Sequence, residues 1–251
     1  MKKKKTGFAV ALFLLAIHTM VIGCNKAATA KVVAMDTTAT IITPTPTPIK
    51  DTSKTYLALG DSYTIGQSVD SSQRFPAQTV AWLSAYSTIK VKPIEYIATT
   101  GWTTSDLQAA IQSKNPQGPY DIVSLLIGVN DQYRGYDTSG YITRFTQLLQ
   151  KSIQLAGGKP NHVFVVSIPD YSVTPFASGS NKAQISQQID WFNAINKRIA
   201  FQYNCPYIYI TDLTRQGATD GTLIAPDGLH PSGKEYEKWS ELLGAVIKAT
   251  Y

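Results

Sequence analysis

Five short apolar runs, separated by longer stretches with helical spacing, dominate residues 55–251 of the 251-residue chain. The runs are rich in β-branched and aromatic residues and nearly continuous, as expected for strands buried on both faces of a sheet. Strands that alternate with helices form βαβ units with right-handed crossovers. The pattern therefore predicts one α/β domain with a parallel sheet covered on both faces. The predicted strands are Tyr56–Leu59, Ile94–Ala98, Ile122–Ile127, Val163–Ile168 and Tyr207–Ile210.

Start and stop signals delimit the helices that connect these strands. Thr103 is followed by Asp106, an acidic capping partner three residues on, and Ser232 is followed by Glu235 in the same relation. Gly157 predicts the end of the third helix. The predicted helices run from Phe75 to Tyr86, Thr103 to Ser113, Thr138 to Ala156, Ala183 to Gln202 and Ser232 to Ala249.

The start of the chain has the composition of an export signal. The charged residues Lys2–Lys5 precede an apolar stretch, Phe8–Ile22, that is shorter than most membrane-spanning helices. The end of this stretch, Val21-Ile22-Gly23-Cys24, resembles the lipobox of bacterial lipoproteins, in which cleavage precedes a cysteine that then carries lipid. The resemblance implies a signal peptide over 1–23 and a cell-envelope protein held extracytoplasmically on a membrane by Cys24. An ordinary secretory signal and an uncleaved helix are the alternatives.

Residues 24–54 are a predicted Thr- and Pro-rich linker, because alternating prolines such as those in Thr43–Pro48 favour extended backbone and block helix. If Cys24 carries lipid, Cys205 has no cysteine with which to pair. The formal net charge of +6 depends on Lys2–Lys5, and the rest of the chain has 19 basic against 17 acidic residues. This balance is too close to neutral to indicate nucleic acid or an anionic surface as a partner.

Two distant segments offer the parts of a serine hydrolase. Ser62 follows the first predicted strand in Gly60-Asp61-Ser62-Tyr63, and His230 closes Asp227-Gly228-Leu229-His230. A serine hydroxyl needs a base to become nucleophilic, and the base works best when a third group orients it. His18 lies in the leader and His162 precedes a strand, so His230 is the sensible base. Taken singly, Ser62 also suits an ordinary turn and His230 a packed or surface position.

Asn130, in Gly128-Val129-Asn130-Asp131, follows the third predicted strand, and Gly101 follows the second. Ligands of open α/β sheets bind at the carboxyl ends of strands where the strand order reverses, which in a flavodoxin-like order lies between strands one and three. Ser62 and Asn130 are therefore expected to share a site, and the N–H of Gly101 is open to a ligand. Asp61 is expected to order the serine loop or cap the next helix. Taken singly, Gly101 and Asn130 are better explained as turn residues.

Jointly, four blocks resemble the SGNH (GDSL-type) esterase and lipase family, which presents Ser, Gly, Asn and His in this chain order. The resemblance implies a three-layer α/β/α sandwich with a five-stranded parallel sheet. It also implies that Ser62 is the nucleophile, that Asp227 orients His230, and that the oxyanion hole consists of the Ser62 and Gly101 N–H groups and the Asn130 amide. Tyr63 departs from the leucine in the family's name, at a position that is not catalytic. The blocks are Gly60-Asp61-Ser62-Tyr63, Gly101-Trp102-Thr103, Gly128-Val129-Asn130-Asp131 and Asp227-Gly228-Leu229-His230-Pro231.

The expected function is hydrolysis of carboxylic esters through an acyl-enzyme, without a metal or cofactor. Removal of acetyl groups from glycans is preferred over hydrolysis of lipid or lysophospholipid esters, because the loops are short and no apolar lid is apparent. Tyr63, Trp102 and Tyr133 either line an acyl or sugar pocket or pack against the core. The sequence contains no nucleotide-binding glycine motif, no zinc-protease motif and no cysteine–histidine zinc spacing. An anchored carbohydrate-binding module without turnover is the alternative from another class.

Overall fold

Residues 52–135 and 137–251 are described in the computed structural model. Five parallel strands form a single sheet in the order β2-β1-β3-β4-β5. This is the flavodoxin-like order, and the sheet carries helices on both faces, so the predicted α/β/α sandwich is confirmed. The strands are β1 (Tyr56–Gly60), β2 (Glu95–Ala98), β3 (Ile122–Leu126), β4 (Val163–Val166) and β5 (Tyr207–Ile208).

Helices cover the sheet, and three short ones lie directly behind strands. α2 packs on α8, whereas α3 packs on α5 and α5 also packs on α6. The short helices α1, α4 and α7 escaped the sequence analysis, because one turn of helix is too short to show a 3.6-residue period. The helices are α1 (Ser62–Ile65), α2 (Phe75–Tyr86), α3 (Thr104–Lys114), α4 (Val129–Tyr133), α5 (Thr138–Leu155), α6 (Lys182–Gln202), α7 (Thr211–Arg215) and α8 (Gly233–Thr250).

Strands β4 and β5 end two residues earlier than the apolar runs that predicted them. At the end of β4, the N–H of Ile168 donates to Asn193 Oδ1 at 2.8 Å. Beyond β5, the N–H of Ile210 donates to Ser167 Oγ at 2.8 Å. The β-ladder ends here because the N–H groups of Ile168 and Ile210 donate to buried side chains instead of to a neighbouring strand.

One predicted capping box forms and the other does not. Thr103 and Asp106 exchange both hydrogen bonds at the start of α3. Before α8, Ser232 accepts from the N–H of Glu235, but the Glu235 carboxylate accepts from Trp239 Nε1 at 2.8 Å. The reciprocal bond is absent because the Ser232 N–H already donates to the carbonyl of Leu223 at 2.8 Å.

Near the start of the described residues, Lys54 forms a parallel bridge with Val91. The predicted signal peptide, the lipid-bearing Cys24 and the linker as far as residue 51 lie outside the described residues. Within the part of the chain that the structure describes, no helix is both long and apolar enough to cross a membrane.

Candidate active site

A single cavity brings together residues from all four motif blocks: Ser62, Gly101, Asn130 and His230 line its wall. Its volume is about 120 Å³, which is small beside the roughly 300–1,000 Å³ that is typical of sites for drug-sized ligands. The strand order explains the convergence. Because β1 lies between β2 and β3, the loops that follow these three strands meet at one edge of the sheet.

Ser62 is the first residue of α1, at the turn where β1 ends. The turn is made by Asp61, whose Oδ1 accepts the N–H of Tyr63 at 3.0 Å, so Asp61 caps the helix as predicted. Gly60 permits the sharp return of the chain, because a Cβ there would overlap the hydroxyl of Thr64 and the carbonyl of Leu126. Ser62 is thereby fixed at the base of the cavity.

The Asp61 carboxyl group lies fully buried directly before the serine. Its second oxygen, Oδ2, has no hydrogen-bond partner among the described residues. Burial raises the pKa of Asp61 to about 8, because a charged carboxylate loses its hydration there. Asp61 is therefore largely protonated at neutral pH, and little negative charge stands behind Ser62.

Direct hydrogen bonds join the loops that carry Gly101 and Asn130. Asn130 Nδ2 donates to the carbonyl of Trp102 at 3.0 Å, and the buried Asp131 accepts from the N–H and the hydroxyl of Thr104 at 2.9 and 2.6 Å. An amide nitrogen carries two hydrogens, so the Trp102 bond uses one donor of Asn130 and the cavity can receive the other.

Gly101 adopts a left-handed conformation with φ of +81°, which non-glycine residues rarely adopt. Its carbonyl accepts from Arg134 NH2 at 2.8 Å. Arg134 directly follows α4, so the segment that carries Asn130 also fixes the segment that carries Gly101. The spacing between these two candidate oxyanion donors is therefore set by three direct contacts between their loops.

His230 and Asp227 lie on a tight loop between β5 and α8. Asp227 Oδ1 accepts the backbone N–H groups of Leu229 and His230, both at 3.0 Å, and Asp227 Oδ2 lies 2.6 Å from His230 Nδ1. The loop is closed below by an antiparallel bridge between Ile224 and Pro231. The spacing of three residues thus allows one carboxylate to hold both the turn and the imidazole.

The imidazole of His230 is buried against the ring of Tyr63, with ring centroids 5.0 Å apart. Because Nδ1 faces Asp227, Nε2 is the nitrogen through which His230 can accept a proton. Among the described residues, Ser62 and His230 share the cavity without a direct hydrogen bond. Such bonds are often long before a substrate binds.

Asp227 receives one further hydrogen bond that the sequence did not reveal. Ser68 Oγ donates to Asp227 Oδ2 at 2.6 Å. Partial burial raises the pKa of Asp227, but the hydrogen bonds from Ser68, His230 and Leu229 outweigh burial and lower it. Asp227 is therefore a stable carboxylate, in contrast to Asp61.

An aromatic cluster, consisting of Tyr133, Tyr171 and Phe176, forms the rim of the cavity. Its ring centroids lie 6.0–6.2 Å apart, and Tyr133 and Phe176 are 60% and 49% exposed. Of the aromatic residues singled out in the sequence, Tyr63 and Tyr133 line the cavity, whereas Trp102 packs against the core. Tyr171 and Phe176 were missed because they lie in irregular turns after β4.

Three polar residues outside the cavity, Asp170, Asp212 and His162, have structural partners. Asp170 caps the turn that begins at Tyr171 and binds Arg215 at 3.0 Å, and Asp212 is an exposed partner of the same arginine. His162 contacts the hydroxyl of Tyr251 through Nδ1 at 2.9 Å. Within the described ranges, no group of three or more His, Cys, Asp and Glu is arranged to hold a metal ion.

Comparison with known proteins agrees with this geometry. Residues 58–238 match the GDSL-like Lipase/Acylhydrolase family. A comparison with curated protein sequences finds no match.

Solved structures with a similar fold include several esterases. TesA is 19% identical with a TM-score of 0.61, over 79% of this chain and 100% of its own. The acetylxylan esterase Axe2 from Geobacillus stearothermophilus is 21% identical with a TM-score of 0.60, over 77% and 94%. The psychrotrophic esterase EstA from Pseudoalteromonas sp. is 19% identical with a TM-score of 0.55, over 78% and 97%. At these identities the likeness concerns the fold.

The family match covers most of the chain and contains all four blocks that meet at the cavity. The chain therefore belongs to the GDSL-like lipase/acylhydrolase family and is a carboxylic ester hydrolase.

Proposed function

We propose that Ser62 attacks the ester carbonyl and that His230 Nε2 takes the hydroxyl proton as the bond forms. Asp227 accepts a hydrogen bond from Nδ1, which fixes the tautomer of the imidazole and stabilises the imidazolium that results. His230 then gives its proton to the leaving alcohol, and an acyl-enzyme remains on Ser62. Water releases the acyl group when the same histidine acts as base again.

The negative charge of the tetrahedral intermediate is held, in this proposal, by the N–H groups of Ser62 and Gly101 and by the side-chain amide of Asn130. Donors of this kind stabilise charge that appears only in the transition state, so they act on kcat rather than on ground-state binding. The protonated Asp61 supports the proposal, because an ionised carboxylate at that position would oppose the developing charge.

The observation that carries the proposal is the convergence of Ser62, Gly101, Asn130 and His230 on one cavity, with Asp227 bound to the imidazole at 2.6 Å. The test is Ser62→Ala against Ser84→Ala, an exposed serine on α2. With p-nitrophenyl acetate, Ser62→Ala should lose at least about 10³-fold in kcat, and Ser84→Ala should match the wild type. Unchanged turnover by folded Ser62→Ala would refute the assignment of the nucleophile.

A fluorophosphonate probe separates the catalytic reading from that of a glycan-binding module. The probe should label Ser62 in the wild type, as located by peptide mass spectrometry, and should leave Ser62→Ala unlabelled. Absence of labelling in folded wild-type protein would favour a module that binds without turnover.

We further propose that the substrate is a small-acyl ester, such as an acetyl ester, of a carbohydrate. The exposed rings of Tyr133 and Phe176 offer flat apolar faces at the cavity mouth, and sugar rings stack on such faces. A chain-length series of p-nitrophenyl esters tests the acyl part. A steep fall after acetate supports a small acyl group, whereas a long-chain optimum favours a lipase or lysophospholipase.

The export and anchoring of the enzyme are also part of the proposal. Cleavage before Cys24 and attachment of lipid to its thiol would place the enzyme in the cell envelope, with residues 25–54 as a tether. Mass spectrometry of the mature amino terminus, with Cys24→Ser as the comparison, tests this. A lipid-bearing Cys24 supports the proposal, whereas a mature chain that begins elsewhere without lipid contradicts it.

A further inference from the structure

Ser68 forms a hydrogen bond with the carboxylate that holds the imidazole, across 159 positions of sequence. Its hydroxyl donates to Asp227 Oδ2 at 2.6 Å, and the same oxygen faces His230 Nδ1 at 2.6 Å. The other oxygen, Oδ1, is occupied by the N–H groups of Leu229 and His230. Ser68 is therefore the contact on Asp227 that comes from the nucleophile's own segment rather than from the base loop.

The backbone at Ser68 is held in an unfavourable state. Its φ is +65°, in the left-handed region that non-glycine residues seldom occupy. Strained residues of this kind persist where surrounding contacts determine them, often at functional sites. Both Ser68 and part of Asp227 are exposed, so water could satisfy each group. The bond therefore contributes orientation rather than the rescue of a buried polar atom.

We propose that Ser68 is a positioning residue for the general base: its hydroxyl shares Asp227 Oδ2 with the imidazole of His230 and fixes the plane of the carboxylate. The inference rests on the proposed roles of Asp227 and His230. With two donors on Oδ2 and two on Oδ1, the carboxylate has one favoured orientation. Without Ser68, Asp227 can turn about its side-chain bonds, and the imidazole loses its fixed direction toward Ser62.

The neighbouring residue provides a matched control. Gln67 lies in the same turn and accepts from Thr100 Oγ1 at 2.7 Å, so it also joins two loops, but among the described residues it forms no hydrogen bond with Asp227. A residue that only pins the turn should behave like Gln67. A residue that positions the base should change the response of the enzyme to pH as well.

The experiment compares Ser68→Ala, Ser68→Gly and Gln67→Ala by the pH profile of kcat/KM for p-nitrophenyl acetate. Both Ser68 variants should lose about tenfold at the plateau. The acidic limb should move to higher pH by about half a unit, because a carboxylate with one donor fewer attracts the proton of the imidazolium more strongly. Gln67→Ala should keep the position of the limb. Asn204→Ala, at another left-handed position with φ of +57° near the opposite edge of the sheet, should match the wild type.

The glycine variant distinguishes the effect of losing the Ser68 hydroxyl from the effect of strain in the backbone. Glycine relieves the left-handed strain, so recovery of wild-type rate and profile in Ser68→Gly would overturn the proposal. Unchanged profiles in both Ser68 variants would overturn it too. The other titratable groups influenced by Asp227 are Tyr63 on α1 and Tyr236 on α8, whose pKa values burial raises, so neither affects the acidic limb.

The double variant Ser68→Ala/Asp227→Asn separates this inference from the proposed function. If Ser68 acts through Asp227, Ser68→Ala should cost less than about twofold in the Asp227→Asn background. A full tenfold loss there would contradict the inference alone. If Asp227→Asn by itself has no effect on turnover, the proposed roles of Asp227 and His230 fail instead.

Discussion

Two turns at the site have the same local design and opposite electrostatics. In each, an aspartate accepts the N–H two residues further on: Asp61 from Tyr63, and Asp227 from Leu229, both at 3.0 Å. Asp61 is fully buried and its Oδ2 lacks a partner among the described residues. The side chain of Asp227 is 29% exposed, and its Oδ2 lies within hydrogen-bond distance of Ser68 Oγ and His230 Nδ1. One turn therefore favours a neutral carboxyl group and the other a carboxylate.

The difference shows that the turn is a local property, whereas the charge is a tertiary one. A neutral Asp61 leaves the potential near Ser62 suited to an oxyanion. In the proposed mechanism, a charged Asp227 stabilises the cation that forms on His230. The same residue type serves both needs because burial and donor count, rather than sequence neighbours, set the pKa.

The largest expected effect comes from neutralising the charged turn. Asp227→Asn should reduce kcat for p-nitrophenyl acetate by about 10³–10⁴-fold, because an amide neither stabilises the imidazolium nor enforces the tautomer. Circular dichroism and melting temperature serve as controls for folding. A loss below about tenfold in a folded variant would mean that the charge on this turn does not matter for catalysis.

On the nucleophile side, Asn130→Ala should reduce kcat by about 10²–10³-fold with little change in KM, because the donor acts on transition-state charge. Asn130→Asp is the matched variant: it keeps the shape, replaces the donor with an acceptor and should be at least as slow. Recovery of activity in Asn130→Asp would indicate that shape, rather than donation, is what position 130 provides.

The neutral turn should reveal itself in the pH dependence of stability. Unfolded Asp61 loses its proton near 3.8, whereas the folded protein keeps it to about 8, so ionisation destabilises the fold progressively between these values. Asp61→Asn removes this dependence. Relative to the wild type, its melting temperature should rise by about 3–6 °C between pH 4 and pH 9.

Asp227→Asn should behave in the opposite way in the same measurement. Because the folded-state pKa of Asp227 is lowered from 3.8, its stabilising effect is present above about pH 4 and is lost on further acidification. The variant should melt below the wild type at pH 7, and the gap should narrow in acid. If the melting temperatures of the two variants changed with pH in the same direction relative to the wild type, the inferred difference in charge between Asp61 and Asp227 would be wrong.

The smallest effect is expected at the aromatic rim, which lies beside both the nucleophile segment and the loop that carries His230. Tyr133 belongs to α4 on the nucleophile side, and Phe176 is joined to the base loop by its N–H to the carbonyl of Gly228 at 3.0 Å. Tyr133→Ala should raise KM for an acetylated oligosaccharide by about three- to tenfold, the loss of one stacking contact, and leave kcat/KM for p-nitrophenyl acetate near wild type. Equal effects on both substrates would argue against a sugar contact.

The sequence was sufficient for features that depend on local pattern. The buried strands and the cap of α3 follow from residue spacing, and the flavodoxin-like strand order predicted that Ser62 and Asn130 would share a site. Ser68 could not be found this way, because its left-handed backbone and its distant partner leave no periodic signal. The reciprocal cap predicted for Glu235 was wrong, because the Ser232 N–H donates instead to the carbonyl of Leu223. Residue spacing does not indicate that contact.

The candidate oxyanion donors and the proposed base are held in place by different parts of the fold. Ser62, Gly101 and Asn130 follow three adjacent strands, which lie about 4.8 Å apart in the hydrogen-bonding direction. Direct hydrogen bonds join the loops that carry Gly101 and Asn130. The proposed base, His230, lies on residues 224–231, a segment closed by the antiparallel bridge between Ile224 and Pro231. An exchange of that segment for a related loop must therefore keep its contacts with the rest of the cleft, from Ser68 to Asp227 and from Phe176 to Gly228.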